Sequence, residues 1–338
     1  MKQQAPARLA FRGISLIEIM VAMAIGLVVI GAVLSTYLHS RAGSRQAAAL
    51  AQVTEDASLA MGILRGHVAM AGYGQPVVDA AGAFNMSRLT GEAIVGCDGG
   101  FNGGMVINPT GVICRGGTTT PDALIVRYEV DAQNGPLVSN GSTMVPSDCQ
   151  GGSLAAGASP FDYFVSDSRF SIGSDAGGGT ALECRGSGGI PTTDATATAA
   201  TTAIFGTTTL DPAGTPTSTV NGSVSLVNNI HDMQIVYGLG NASAPVTLED
   251  GSSSTRPGKR VETYVKAADV GAPTHGNWKR VVSVRICLEV NSEEEVLDQI
   301  TAYRGCDDAT ANPTALKTPT DRRIYRAFTT TIVLNNRT

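Results

Sequence analysis

Residues 12–34 read RGISLIEIMVAMAIGLVVIGAVL, and this stretch decides the fold. A short leader stands before it, with Lys2, Arg8 and Arg12 as its charges. Gly13 closes the leader, and an apolar run follows at once with one charge in it, Glu18. A carboxylate inside so apolar a span is costly, and such groups mark functional positions. Cutting the chain after Gly13 would create a new α-amino group on Ile14, a cation at neutral pH. That cation would lie one helical turn from Glu18. An anion and a cation, each unfavourable alone in lipid, could then pair between neighbouring chains.

Residues 14–34 make about 31 Å of helix at about 1.5 Å per residue, enough for a bilayer core of about 30 Å. A secretory signal peptide would have a shorter apolar region, with its cleavage residues at the far end. Here the glycine and the basic residues lie at the near end. Ala22 and Gly26 are four apart, as are Gly31 and Ser35, a spacing that lets helices approach closely. The helical pattern then continues. Leu50, Val53, Ala57, Ala60, Leu64 and Val68 recur at three-and-four spacing, with Arg41, Arg45, Glu55, Asp56 and Arg65 outside that stripe. Gly72 and Gly74 end it. The spacing predicts one helix from about Ser15 to Met70. Its organisation reads as a leader over 1–13, a membrane or filament-core half over 14–36, an amphipathic half over 37–72 and a β-rich globular domain over 73–338.

The chain has 338 residues and a formal charge of −5. Losing the three leader cations would take the charge from −5 to −8, and no basic stripe for nucleic acid is present. Glycine is abundant at 40 residues and aromatics are only 5%, a composition rich in turns and loops. The cysteines are Cys97, Cys114, Cys149, Cys184, Cys287 and Cys306, an even count beyond the apolar segment. In an exported domain they read as disulfides. Several connectivities are open, and pairing neighbours in sequence order is the simplest. Arg41 and Arg45 would by themselves favour a cytoplasmic side after the span. The leader's basic residues compete, and oxidised cysteines put the globular domain outside.

Beyond Gly74 the chain reads as strands joined by long polar connections. Runs at Ala123–Val130, Phe161–Val165 and Ile230–Tyr237 are strand-like. In Val281–Val290 the residues Val282, Val284, Ile286, Leu288 and Val290 alternate with Ser283, Arg285, Cys287 and Glu289. That pattern predicts one buried and one solvated face. Ile324, Phe328, Ile332 and Leu334 share one face of a last strand. Residues 186–222, with TTDATATAATT at 192–202, and the DGSSSTRPG at 250–258 read as loops. The expected class is α+β, a long N-terminal helix packed on a mainly antiparallel sheet with long loops.

Motifs for hydrolases, zinc proteases, nucleotide binding or calcium loops are missing from the sequence. His39, His67, His231 and His275 lack ligand spacing and read as surface or loop residues. Cys97-Asp98-Gly99-Gly100 and Ser174-Asp175-Ala176-Gly177 could offer oxygens to calcium, but turn chemistry explains them more simply. Trp278 reads as a core residue. No catalytic, cofactor-binding or metal-binding residue is expected.

Gly13-Ile14-Ser15-Leu16-Ile17-Glu18 resembles the class III prepilin cleavage motif of type IV pilins and type II secretion pseudopilins. That family usually has Phe after the cut, where this chain has Ile14. Three further stretches, Val227–Gly238, Trp278–Leu288 and Arg323–Arg337, resemble segments of the PilW family of minor pilins. The resemblance implies a pilin-like fold and no enzymatic activity. It implies cleavage after Gly13 by a prepilin peptidase, N-methylation of Ile14, and Glu18 as the residue that registers subunits. It further implies a minor pilin that primes type IV pilus assembly at or near the tip. Implied partners are the peptidase, other minor pilins, the major pilin, a tip adhesin and inner-membrane lipid. The implied location is the inner membrane, single-pass with the domain periplasmic, and then the extracellular pilus, with roles in twitching motility and cell adhesion. The alternatives are a type II secretion minor pseudopilin and an adhesive or ligand-binding tip module.

Overall fold

The computed structural model describes residues 15–78, 84–85, 92–102, 112, 114–117, 120–139, 143–154, 163–174, 178–186, 223–241, 246–247, 253–254, 260–272 and 276–336. Gly13, Ile14, His275, the 192–202 stretch and all but Ser174 of the second acid–glycine cluster lie outside them, as does most of 250–258. Two compact units are distinguished, residues 1–49 and 50–338.

One helix, α1, runs Leu16–Met70. Within the second unit its buried stripe is Val53, Ala57, Ala60, Leu64 and Val68, each at most 1% exposed. These are the predicted positions, apart from Leu50, which is only half-buried. Gly72 ends the helix with a left-handed φ of 77° and donates its N–H to Arg127 O at 2.9 Å. Only glycine takes that conformation without strain.

The stripe packs into one core with two antiparallel sheets. The first is a five-stranded meander: β1 Ile94–Cys97, β2 Ala123–Val130, β3 Phe164–Ser174, β4 Thr180–Arg185 and β5 Val224–Asn228. The second comprises β6 Ile230–Gly240, β7 Val261–Val265, β8 Val281–Asn291 and β9 Tyr325–Val333, in the order β7-β6-β8-β9. This is the pilin-like α+β class expected, with two main sheets where one was foreseen.

The chain passes from the first sheet to the second through a single residue. Asn229 separates β5 from β6 and has φ 64°, a left-handed conformation that asparagine tolerates better than most residues. Its Nδ2 donates to Asp56 Oδ2 of α1 at 3.1 Å, and its carbonyl accepts from Asn291 N at 3.0 Å. The corner is thereby tied to both the helix and β8.

Three disulfides close local loops: Cys97–Cys114, Cys149–Cys184 and Cys287–Cys306, with Cα separations of 5.0, 6.3 and 5.8 Å. The last helps explain why β8 departs from its predicted pattern. Ser283, Cys287 and Glu289 are all buried, so β8 has no solvated face. Its second face is covered by a short hairpin, Tyr303–Gly305 with Ala315–Lys317, which the bridge holds in place. Glu289 is fully buried and accepts from Cys306 N at 2.6 Å, Lys317 Nζ at 2.5 Å and Tyr303 Oη at 2.5 Å. These donors meet the carboxylate's demand for partners, without which its burial would be prohibitive. Reducing the Cys287–Cys306 bridge should loosen this hairpin and cost about 2–4 kcal/mol. Urea unfolding of the wild type and of a Cys287→Ser, Cys306→Ser double variant checks this, and unchanged midpoints would contradict it.

Candidate assembly site

Glu18 lies in the first turn of α1 and is exposed, its N–H donating to Ser15 O at 3.0 Å. It is the only acidic or basic charge from Ser15 to Ser40, apart from whatever His39 carries. Around and beyond it the large apolar side chains face outward. Leu16 is 77% exposed, Leu27 71% and Val28 73%. The helix is long and apolar enough to cross a membrane, and its most apolar window is uncovered by the protein itself. The Thr36 hydroxyl is satisfied within the helix, its Oγ1 donating to Ala32 O at 2.9 Å. Gly26 and Gly31 leave open space where a Cβ would stand. Just past the span, the Arg41 guanidinium stacks over Tyr37 at 4.7 Å. Physically this is a surface that water disfavours and that lipid or other apolar helices would cover.

Among the described residues no three His, Cys, Asp or Glu side chains are placed to hold a metal. The Asp98 turn shows why. Asp98 accepts from Ala267 N at 3.0 Å and Ala268 N at 2.9 Å, at the start of α2, Ala267–Val270. Asp122 accepts from Gly99 N at 3.1 Å and Ile235 N at 2.8 Å. These carboxylates stitch elements together through backbone amides. Burial pushes the Asp122 carboxyl up to about 8 against these amide bonds, with Asp98 and Asp232 adding to the rise.

A buried ion cluster crosses β2 and β3. Asp167 takes Arg127 Nε at 3.0 Å and Arg169 Nε at 2.9 Å. Burial alone would raise the Asp167 carboxyl, but Arg169 and Arg127 reverse that and leave it lowered. The cluster is enclosed within the sheet and reads as structural.

His67 is not the surface or loop residue that its sequence context suggested. It sits on α1 with Nδ1 2.8 Å from Tyr128 Oη, its ring 5.1 Å from that of Phe170. Burial pulls its imidazole down to about 4. A folded value below the unfolded 6.5 means that the unfolded chain binds the proton more readily. The stability that neutral His67 contributes is therefore complete above pH 6.5 and lost as pH falls towards 4, about 3 kcal/mol in all. Asp122 works in the opposite sense: stability declines as pH rises from 3.8 towards 8. His67→Gln should flatten the acid limb of the stability–pH curve and leave the alkaline limb in place. An unaltered acid limb in urea titrations would contradict the assignment.

Two family profiles match the chain. A prokaryotic N-terminal methylation motif covers residues 8–34, and a family described as type IV pilus-assembly protein W covers residues 169–336. Among solved structures, a type IV-like pilin from Thermus thermophilus aligns at 12% identity over 85% of this chain and 98% of its own, with a TM-score of 0.38. No curated protein matches the sequence.

Proposed function

We propose that this chain, which belongs to the PilW family of type IV pilus-assembly proteins, sits at or near the filament tip and primes pilus growth from the inner membrane. It is a pilin-like minor subunit, and the family is a structural one. One observation carries the reading: the methylation motif and the PilW segment lie on the same chain, at 8–34 and 169–336, with an uncovered apolar helix beginning at Leu16. In this reading residues 1–13 are the leader, 14–36 the membrane and filament-core half of α1, 37–72 its amphipathic half and 73–338 the periplasmic domain. A prepilin peptidase cuts after Gly13, Ile14 becomes the methylated N-terminus, and Glu18 pairs with the Ile14 amino group of a neighbour. Three disulfides suit an oxidising compartment, which supports the periplasmic side. The partners are other minor pilins and the major pilin, held through α1.

Processing requires a residue with almost no side chain before the cut. Gly13→Val should leave the leader attached, which intact mass reads directly; a chain starting at methylated Ile14 from that variant would contradict the assignment. The priming role is tested by deleting the chain and crosslinking the wild type in membranes. Deletion should sharply reduce surface filaments, and crosslinks through α1 should recover other pilins. Normal piliation without pilin crosslinks would overturn the role.

A further inference from the structure

Strand β9, Tyr325–Val333, ends the second sheet. Its register against β8 runs unbroken from Asn291 with Tyr325 to Ser283 with Val333. The hydrogen bonds just beyond its two ends fix which way each peptide group points. Ser292 N donates to Ile324 O, and Leu334 N donates to Val282 O, both at 2.9 Å. Backbone groups of an antiparallel strand alternate between its two sides. The even-numbered residues therefore turn their N–H and C=O to β8. Tyr325, Ala327, Thr329, Thr331 and Val333 turn theirs away from it. Among the described residues no backbone group pairs with that outer row.

Both faces of β9 are engaged, which leaves the edge as its free side. Ile332 is buried in the core and Phe328 packs against it. On the other face Tyr325 stacks on Tyr303 with ring centres 5.0 Å apart, and Thr329 Oγ1 donates to Ala311 O at 2.9 Å. These contacts hold the strand in place before any partner arrives. Proteins blunt an open edge with proline, a bulge, added charge or a short strand. β9 has nine residues, no proline and no register shift, and Arg326 is its one charge. Threonine, tyrosine, phenylalanine, isoleucine and valine fill most of it, the residues that suit a sheet best. Thr329, Thr331 and Val333 are exposed. Such an edge is a template for an incoming strand.

The chemistry of the edge narrows its occupant. An outward row of N–H and C=O groups is satisfied along its length by another extended backbone, not by a helix or a lipid tail. Arg326 is exposed and has no ion pair among the described residues, so an acidic residue on the incoming strand would gain a cross-strand partner. The same unit presents an uncovered surface on α1, where Thr54, Glu55, Ser58, Leu59 and Gly62 line a shallow open face and Leu59 is 53% exposed. Asn336, just past β9, donates to Ala69 O of α1 at 3.1 Å, which ties the end of β9 to that helix. A neighbouring pilin packed along α1 is the chain placed to bring a strand to β9. Two copies joined through β9 would form an isologous, closed pair, the wrong symmetry for a filament that grows in one direction.

We propose that the outer edge of β9 receives a strand from another pilin subunit, which extends the second sheet across the subunit boundary. This rests on the reading of the chain as a pilus-assembly subunit. It adds the surface through which the globular unit recognises its neighbour.

The test uses the full chain in its own membranes. A photoreactive benzoylphenylalanine replaces either Val333, on the edge and 57% exposed, or Leu316, on the hairpin and 76% exposed. The label at Val333 should crosslink to a strand segment of another pilin, identified by peptide mass, and the label at Leu316 should give little. Thr331→Pro in the Val333-labelled chain removes one outward N–H and sets a ring in the partner's path, while the bonds to β8 remain. It should unfold at the wild-type urea midpoint and lose the crosslink by at least about tenfold. Thr331→Ala keeps the N–H and should keep the crosslink. If Thr331→Pro unfolds early, Ala327→Pro makes the same test at another outward residue. A crosslink untouched by proline, an equal yield from Leu316, or capture of a second copy or of a protein that is not a pilin would overturn the proposal. Crosslinks through α1 with none from Val333 would remove the edge contact and leave the assembly role standing, whereas loss of both would remove the two together.

Discussion

Glu18→Ala should leave the leader cleaved and the chain in the inner membrane, and should deplete it from sheared filaments by at least about tenfold. If Glu18 only sat in lipid, removing it would help insertion, because an unpaired carboxylate there costs about 2.5–3.5 kcal/mol. If it pairs with the Ile14 amino group of a neighbour, the same change leaves that cation buried alone. Breaking one side of a buried pair typically costs about 3–5 kcal/mol, large for a single subunit contact. Glu18 is exposed in the first turn of α1 amid outward-facing apolar side chains, so a neighbour can reach it. The readout is the ratio of this protein in sheared and membrane fractions. An unchanged ratio, with normal piliation in a strain lacking the wild-type copy, would remove the registration role.

Trp278→Ala should destabilise the globular unit by about 3–5 kcal/mol, a large share of the about 5–15 kcal/mol typical of a domain. Trp278 is fully buried and meets Tyr237 edge-to-face at 4.9 Å. Its indole N–H donates to Gly271 O at 3.2 Å and Ala272 O at 3.0 Å. Truncation opens a cavity beside β6 and β8 and strips both carbonyls of that donor. Trp278→Phe separates the two effects. It keeps most of the packing and loses the donor, so it should cost clearly less. Chemical denaturation of both variants checks the order. A Phe variant as unstable as the Ala variant would mean that the indole hydrogen bonds, rather than the packing, hold this corner of the core.

The helix was legible because its code is local. The spacing from Val53 to Val68 reports the face that meets the core, and every residue of that stripe is buried. Strands β2, β6 and β8 were legible for the same reason, with β6 continuing to Gly240 and β8 to Asn291. The strand expected at Phe161–Val165 instead runs Phe164–Ser174, and residues 161–162 lie outside the described set. Its middle is Ser166, Asp167, Ser168 and Arg169, buried through an ion cluster and a Ser166–Ser168 hydroxyl contact of 3.0 Å. Hydrophobic alternation cannot announce a strand buried by its polar groups. The covered second face of β8 was hidden because its cover comes from residues 303–317, far along the chain. The corner at Asn229 was not foreseen, and His67 read as a surface or loop residue, for a related reason. One is defined by a backbone angle and the other by what packs on it, and neither is a property of neighbouring letters. Glu18 stood out because it is a lone charge in an apolar run. The open edge of β9 left no such mark, since the order of strands in a sheet is decided only by the fold.

The central claim is that this chain is cut after Gly13 and then enters a filament through α1. Mass spectrometry of the N-terminal peptide from sheared, purified filaments tests it most directly. The account predicts a peptide that begins at Ile14, carries one added methyl group and is recovered from the filament fraction. A chain found only in the membrane with residues 1–13 still attached would contradict it.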